Sequence, residues 1–227
     1  MSRPGISRPE VDPGSTSIDD ILRWGDGGGL RVPTFETSFA WTSNQMRELF
    51  ESIDRGFPIG SLVLWSTDAR VPTLDALGSL PLPPPTPGTI TLVLDGHQRL
   101  ATLYSVLRLP ADHPRQGEDG WKWWLYRDLS RDGEDDGSFV HVPEGEPAAH
   151  LLPLRSIIRT MDFLAFTKDL DARARRSSLD PERMMRRAES LVRHIKSYKL
   201  STLRVTGGTI DEAIEMSSRL NPTRLRP

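Results

Sequence analysis

Apolar residues recur along this chain at the spacings of helices and strands in turn. Apolar positions at i, i+3, i+4 and i+7 predict amphipathic helices, and short apolar runs bounded by turn residues predict buried strands. The predicted helices lie at 18–25, 43–56, 100–107, 159–175, 181–197 and from Thr209 onward, and the predicted strands at 62–65, 89–94, 121–126, 139–142 and 198–205. This mixture predicts an α+β fold, with an appended helical section at about 159–197.

The N-terminal segment differs from the rest of the chain. Residues 1–15 are rich in Pro, Gly and Ser and contain no apolar segment. We therefore expect a disordered tail rather than a secretory signal, followed by one domain over 16–227. No apolar run approaches the roughly 20 residues that a membrane-spanning helix needs, so no membrane partner is expected. The absence of cysteine excludes disulfides and thiolate chemistry, and fits a cytoplasmic location.

Acidic and basic residues are unevenly distributed. Residues 1–154 contain 13 basic and 22 acidic side chains, whereas residues 155–227 contain 16 basic and 9 acidic ones. A basic half is typical of a protein that faces nucleic acid. The alternative is that these arginines solvate the polar faces of two helices. The candidates for DNA contact are Arg175, Arg176, Arg186 and Arg187.

A polar turn with the sequence DGHQR, residues 95–99, separates the strand predicted at 89–94 from the helix that follows. At such a junction the first amides of the helix and the positive end of its dipole form an anion site. The turn also places a carboxylate, an imidazole, an amide and a guanidinium in succession, with Gly96 allowing the backbone to bend. We therefore expect the chemistry of the protein here.

Four segments, taken together, resemble one known family. They are VPTFETSFAW at 32–41, residues 45–65 with RGFPIGSLVLW, residues 92–104 with DGHQR, and residues 213–221 ending in RLN. In this order they resemble the N-terminal domain of GmrSD-type restriction and phage-defence proteins. That family is a branch of the ParB/sulfiredoxin-like superfamily and includes phosphorothioate-sensing defence proteins. The resemblance spans about 17–221 and implies a small mixed sheet with flanking helices.

The resemblance also implies a function. It implies a nucleotide-binding domain, an NTPase with Mg²⁺ as cofactor, that serves a bacterial anti-phage restriction system sensing modified or foreign DNA. Because many family members carry a C-terminal nuclease domain, we expect a nuclease domain or partner subunit in addition to these 227 residues. Two alternatives stay open: a module that senses DNA modification and uses nucleotide only as a switch, and a nuclease built on the same fold.

Three residues of the turn are the candidates for catalysis. Asp95 is expected to hold Mg²⁺ or activate the attacking water, and Gln98 to orient that water. Arg99 is expected to neutralise charge on the phosphates. Two of these residues have a structural alternative: Asp95 as a helix N-cap, and Arg99 in an ion pair with Asp95 or Glu36.

The residues expected to contact the nucleotide are Gly96, His97, Arg99 and Asn221. For Asn221, a helix C-cap before Pro222 is the alternative. The turn departs from the DGQQR that is usual in the family, since His97 stands where Gln is usual, and we expect a positioning role for it. Glu36 and Thr37 stand where the family usually has Gln-Arg, which removes a positive charge expected near the site.

Overall fold

The computed structural model describes residues 8–36, 38–115, 120–131, 137–176 and 180–220, with the backbone alone for 171–176. Within these residues the helices are α1 (Ile18–Asp26), α2 (Ser43–Asp54), α3 (His97–Arg108), α4 (Thr160–Arg176), α5 (Pro181–Ser197) and α6 (Ile210–Leu220). The strands are β1 (Glu10–Ser17), β2 (Leu30–Arg31), β3 (Leu62–Thr67), β4 (Ala76–Leu77), β5 (Leu80–Pro81), β6 (Ile90–Asp95), β7 (Leu125–Asp128), β8 (Phe139–His141), β9 (Leu151–Pro153) and β10 (Lys199–Thr206).

The α+β fold predicted from the sequence is confirmed. Five strands form a mixed sheet in the order β1-β10-β3-β6-β2. β10 runs parallel to β3 and β2 parallel to β6, whereas the β1–β10 and β3–β6 pairs are antiparallel. A second sheet has the order β8-β7-β9. Of the described helices, none is long and apolar enough to cross a membrane.

Contacts divide the chain into two compact units, although one domain was predicted over 16–227. The first unit comprises the described residues within 1–40, 60–101 and 199–227, and the second those within 41–59 and 102–198. The five-stranded sheet lies in the first unit and the β8-β7-β9 sheet in the second. The predicted helical section is found as α4 and α5 in the second unit. Helix α3 begins in the first unit and continues into the second.

The core of the first unit is built on β3 and β6. Val63 and Trp65 of β3 pack with Leu92 and Leu94 of β6 and with Val205 of β10. Their neighbours in β3 and β6 are also buried, so both strands read as nearly continuous apolar runs. This explains why the sequence pattern identified them.

β1 corrects the expectation of a disordered tail. Residues 1–7 lie outside the described residues, but Glu10 to Ser17 pair in register with β10, from Glu10↔Thr206 to Ser17↔Lys199. The strand therefore includes residues 10–15 of the segment expected to be tail. Most of its side chains are exposed, because β1 is an edge strand that gains its order from backbone hydrogen bonds to a partner. No apolar periodicity marks such a strand.

In the second unit, α2 buries the apolar face that its spacing predicted. Thr42 and Gln45 form a capping box at its start, which explains why the helix begins at Ser43. The strand predicted at 121–126 is wrong at its beginning, where Gly120–Trp123 form a 3₁₀ turn, and right at its end in β7.

We expect the free energy of unfolding to fall as the pH drops below about 6.5. His141 donates from Nε2 to the Ser43 carbonyl oxygen (3.1 Å), and burial lowers its pKa below the ordinary 6.5. The unfolded chain then binds a proton that the folded chain excludes, so stability is lost as the pH falls through 6.5 toward the folded pKa. The free energy of unfolding, measured by urea denaturation between pH 7 and 5, should depend less steeply on pH in His141→Gln than in the wild-type chain.

The slope should decrease in this variant without vanishing, because burial also lowers the pKa of His113. His141→Gln and wild-type chains with identical pH slopes would contradict the assignment.

Candidate functional site

The polar turn lies where β6 leads into α3, as predicted, but the helix begins earlier than expected. β6 ends at Asp95, α3 begins at His97, and the first helical bond runs from the Leu100 amide to the Gly96 carbonyl oxygen (2.9 Å). Residues 97–99 therefore form the first turn of the helix, where the helical ladder does not use the backbone amides. The helix-opening amides, which were expected after Arg99, are therefore those of residues 97–99.

Gly96 is required at this junction for two reasons. Its φ is +92°, a conformation that residues with a Cβ rarely adopt. A Cβ here would also overlap the Leu62 side chain and lie 3.2 Å from Arg99 Nη2. The turn can therefore pack closely against the start of β3.

Arg99 forms the central contact of the site. Its Nη2 donates to Asp95 Oδ2 (3.1 Å) and to the Ser61 carbonyl oxygen (3.0 Å). The side chains of Arg99 and Asp95 are 16% and 26% exposed. Asp95 therefore forms the ion pair that was the structural alternative for Arg99. The other alternative was Asp95 as the helix N-cap, but the residue directly before the first helical residue is Gly96.

Gly60 makes room for the Arg99 guanidinium. Its φ is +83°, and a Cβ at this position would overlap Arg99 Nη1. Gly60 and Ser61 belong to the RGFPIGSLVLW segment, so two separate motifs of the sequence meet in one contact. Sequence reasoning did not assign these two residues to the site, although the glycine before a buried strand was a usable signal.

Gln98 holds a neighbouring backbone segment. Its Nε2 donates to the Ser38 carbonyl oxygen (2.9 Å), and its Oε1 accepts from the Ala40 amide (2.9 Å). The side-chain amide thus bonds the backbone on both sides of Phe39. This geometry favours a positioning role over the orientation of a water molecule.

His97 and Glu36 are both buried. His97 is 4% exposed, which fits the positioning role expected for it better than acid–base exchange with solvent. Glu36 is 8% exposed and accepts a hydrogen bond from Ser217 of α6. The carboxylate that replaces the family's usual Gln is therefore bonded inside the first unit, and Thr37 lies outside the described residues.

The remaining candidate residues are not brought to the turn by any described contact. Asn221 lies outside the described residues, and only the backbone is described for Arg175 and Arg176. Arg186 is 65% exposed and pairs with Glu182 (3.6 Å), and Arg187 donates to the Leu129 carbonyl oxygen (2.7 Å). Among the described residues, no three His, Cys, Asp or Glu side chains form a metal-binding group.

We expect Gly60→Ala to disturb the site through Arg99. Gly56 has a similar φ of +71°, and no atom lies within 4 Å of the position that a Cβ would take. Gly56→Ala should therefore lower the free energy of unfolding by about 1 kcal/mol, through backbone strain alone. Gly60→Ala should lower the free energy of unfolding by about 1 kcal/mol more than Gly56→Ala does, because the displaced Arg99 guanidinium loses its hydrogen bonds. The measurement is urea unfolding of both variants, in wild-type and Arg99→Ala backgrounds.

In the Arg99→Ala background the two substitutions should cost the same, since nothing remains to be displaced. An excess cost at Gly60 that persists without Arg99 would show that the glycine serves another contact.

A family model described as the N-terminal domain of the GmrSD restriction endonuclease matches residues 18–222. No curated protein matches the chain. The match includes both motifs that meet at Arg99 and connects the chain with restriction and defence. The chain belongs to the family of GmrSD restriction endonuclease N-terminal domains.

Proposed function

We propose that this domain binds a nucleoside triphosphate at the polar turn and hydrolyses it within a restriction system that responds to modified or foreign DNA. The observation that carries the proposal is the Asp95–Arg99 pair on the first turn of α3. A carboxylate and a guanidinium, both partly exposed, stand there at the positive end of a helix. In phosphoryl transfer, carboxylates hold the metal ion and guanidinium groups stabilise the negative charge on the phosphates.

Arg99 would change partner when phosphate enters. Its planar guanidinium can donate two parallel hydrogen bonds to phosphate oxygens. An exchange of the Asp95 carboxylate for a phosphate keeps the guanidinium paired with an anion throughout. Gly96 has no side chain to obstruct an approach to the first-turn amides, which favour a negative group.

Asp95 would be released by the same exchange. A carboxylate at this position suits Mg²⁺, which takes one or two protein carboxylates and completes its shell with phosphate oxygens and water. Bound there, Mg²⁺ would neutralise charge on the phosphates. Asp95 alone among the residues of the turn offers such an oxygen ligand, which fits a cation that arrives with the nucleotide.

DNA and a nuclease complete the proposal. The family name connects this domain with an endonuclease, so we propose that a further domain or a partner subunit cleaves the DNA. Arg186 and Arg187 remain candidates for contact with DNA phosphates.

A non-hydrolytic switch is the second candidate function. Both polar atoms of the Gln98 side chain are bonded to backbone groups, and Glu36 brings a buried carboxylate where the family usually has Gln. Both features favour nucleotide binding without an oriented water. Release of inorganic phosphate under multiple-turnover conditions, with and without modified DNA, distinguishes hydrolysis from binding alone.

We expect Asp95→Ala and Arg99→Ala to weaken nucleotide binding at least tenfold, and Arg99→Ala to lower turnover by about 100-fold or more. The matched control is Glu215→Ala, which breaks the exposed Arg219–Glu215 pair (2.5 Å) at the same i,i+4 spacing in the same unit. Its effect on stability should be below about 1 kcal/mol. Calorimetric titration with a nucleoside triphosphate and phosphate release measure the two quantities.

Normal binding and turnover in both turn variants, with their folds intact by circular dichroism, would contradict the proposal. Normal binding by the wild-type chain without phosphate release would support the switch instead.

A further inference from the structure

The second unit contains a pocket between the end of α2, β7 and α5. Its volume is about 560 Å³, which is within the range of pockets that hold small molecules. Asp54, Ser190 and His194 are among the described residues that line it. A carboxylate, a hydroxyl and an imidazole that face one pocket are the three groups of a serine nucleophile with its base.

A chain of hydrogen bonds joins these three side chains in the order carboxylate, imidazole, hydroxyl. Asp54 Oδ1 lies 2.8 Å from His194 Nδ1, and His194 Nε2 lies 3.3 Å from Ser190 Oγ. Because an ionised carboxylate can only accept, Nδ1 carries the proton of the neutral imidazole. Nε2 is then the basic nitrogen, and it accepts a hydrogen bond from the Ser190 hydroxyl. In this tautomer an imidazole can take the proton of a serine.

The carboxylate of this chain is held in position from its other side. The Asp54 side chain is 8% exposed, and its Oδ2 lies 3.5 Å from Nε of the buried Arg127. The guanidinium therefore orients the carboxylate while the second oxygen contacts the imidazole. His194 is 42% exposed and lies in the last turn of α5, where the negative end of the helix dipole favours a positive charge. Asp54 and the helix end both stabilise the imidazolium that proton transfer would form.

Ser190 differs from two other serines that lie inside helices. Ser52 of α2 donates to the Glu48 carbonyl oxygen (2.8 Å), and Ser218 of α6 donates to the Ile214 carbonyl oxygen (2.9 Å). Both bonds run to the residue four positions earlier, which is a common bond of a helical serine. The Ser190 hydroxyl is instead bonded to the imidazole of the residue four positions later. Its orientation suits the transfer of its proton to a base.

The residues of the pocket limit the class of substrate. Phe57, 53% exposed, gives the lining an aromatic surface for an apolar group. The backbone amides around Ser190 are used within the hydrogen-bond ladder of α5, so this helix offers no amide to stabilise an oxyanion. A carbonyl compound whose leaving group departs easily is therefore favoured over an amide.

We propose that Ser190 is the nucleophile of an esterase site that hydrolyses activated carboxylic esters, those whose leaving group is a weaker base than an alkoxide. Ser190 Oγ forms a bond to the ester carbonyl carbon while its proton passes to His194 Nε2. The bond between that carbon and the leaving group then breaks, and the leaving group departs with the bonding electron pair and the proton from Nε2.

Water completes the reaction. It attacks the acyl carbon and gives a proton to His194 Nε2, the bond between that carbon and Ser190 Oγ breaks, and Nε2 returns the proton to Oγ as the carboxylic acid leaves. The proposal does not rest on nucleotide hydrolysis at the polar turn.

Hydrolysis of p-nitrophenyl butyrate by the 227-residue chain tests this activity. Ser190→Ala and His194→Gln should each lower kcat/KM by about 100-fold or more, because the nucleophile or its base is lost. Alanine is the better helix former, so Ser190→Ala keeps α5 intact. Ser52→Ala is the matched control, since it removes a helical serine of the same unit whose hydroxyl bonds the backbone, and it should leave kcat/KM unchanged.

Covalent labelling gives a readout that a merely structural role would not change. A fluorophosphonate transfers its phosphonyl group to an activated serine with loss of fluoride. Peptide mass spectrometry should find this group on Ser190 and not on Ser52, and folded His194→Gln should lose the label. A wild-type chain that hydrolyses the ester no faster than Ser190→Ala would overturn the proposal, as would a failure to label Ser190 or equal labelling of Ser190 in His194→Gln.

Discussion

The Arg99 guanidinium occupies a space that exists because positions 60 and 96 carry no side chain. From there it bonds Asp95 at the end of β6 and the Ser61 carbonyl oxygen before β3. β3 and β6 are neighbours at the centre of the five-stranded sheet. The geometry of the polar turn is therefore fixed by two buried strands of the first unit, and a change at the end of β6 or just before β3 reaches Arg99 directly.

The same contact that builds the turn also occupies the groups proposed to act there. Arg99 can leave Asp95 at little electrostatic cost if a phosphate replaces the carboxylate, because one anionic partner is exchanged for another. The buried Arg127 of the second unit is different. It is 3% exposed and pairs with Asp54. A buried cation needs a partner that stays in place, because a charge left without one in the interior is costly.

The spacing of apolar residues in the sequence was sufficient to predict helices with one buried face and strands that are buried on both faces. The apolar repeat predicted α2, α4 and α5, and the apolar runs predicted β3 and β6, because burial itself imposes those patterns. The polar turn was also evident, since a cluster of charged and amide side chains between a buried strand and an amphipathic helix is uncommon. Membership in the family of GmrSD restriction endonuclease N-terminal domains followed from the order of such segments.

Tertiary structure decided what local spacing does not encode. β1 is ordered because β10 lies beside it, and an exposed edge strand needs no apolar pattern. Gly60 meets Arg99, and Asp54 meets Arg127 and His194, although each pair is far apart in the chain. The sequence by itself determined which apolar faces are buried and which residues could carry charge. Which charges meet was decided by the packing of distant segments, because a side-chain contact depends on distance in space and not on separation along the chain.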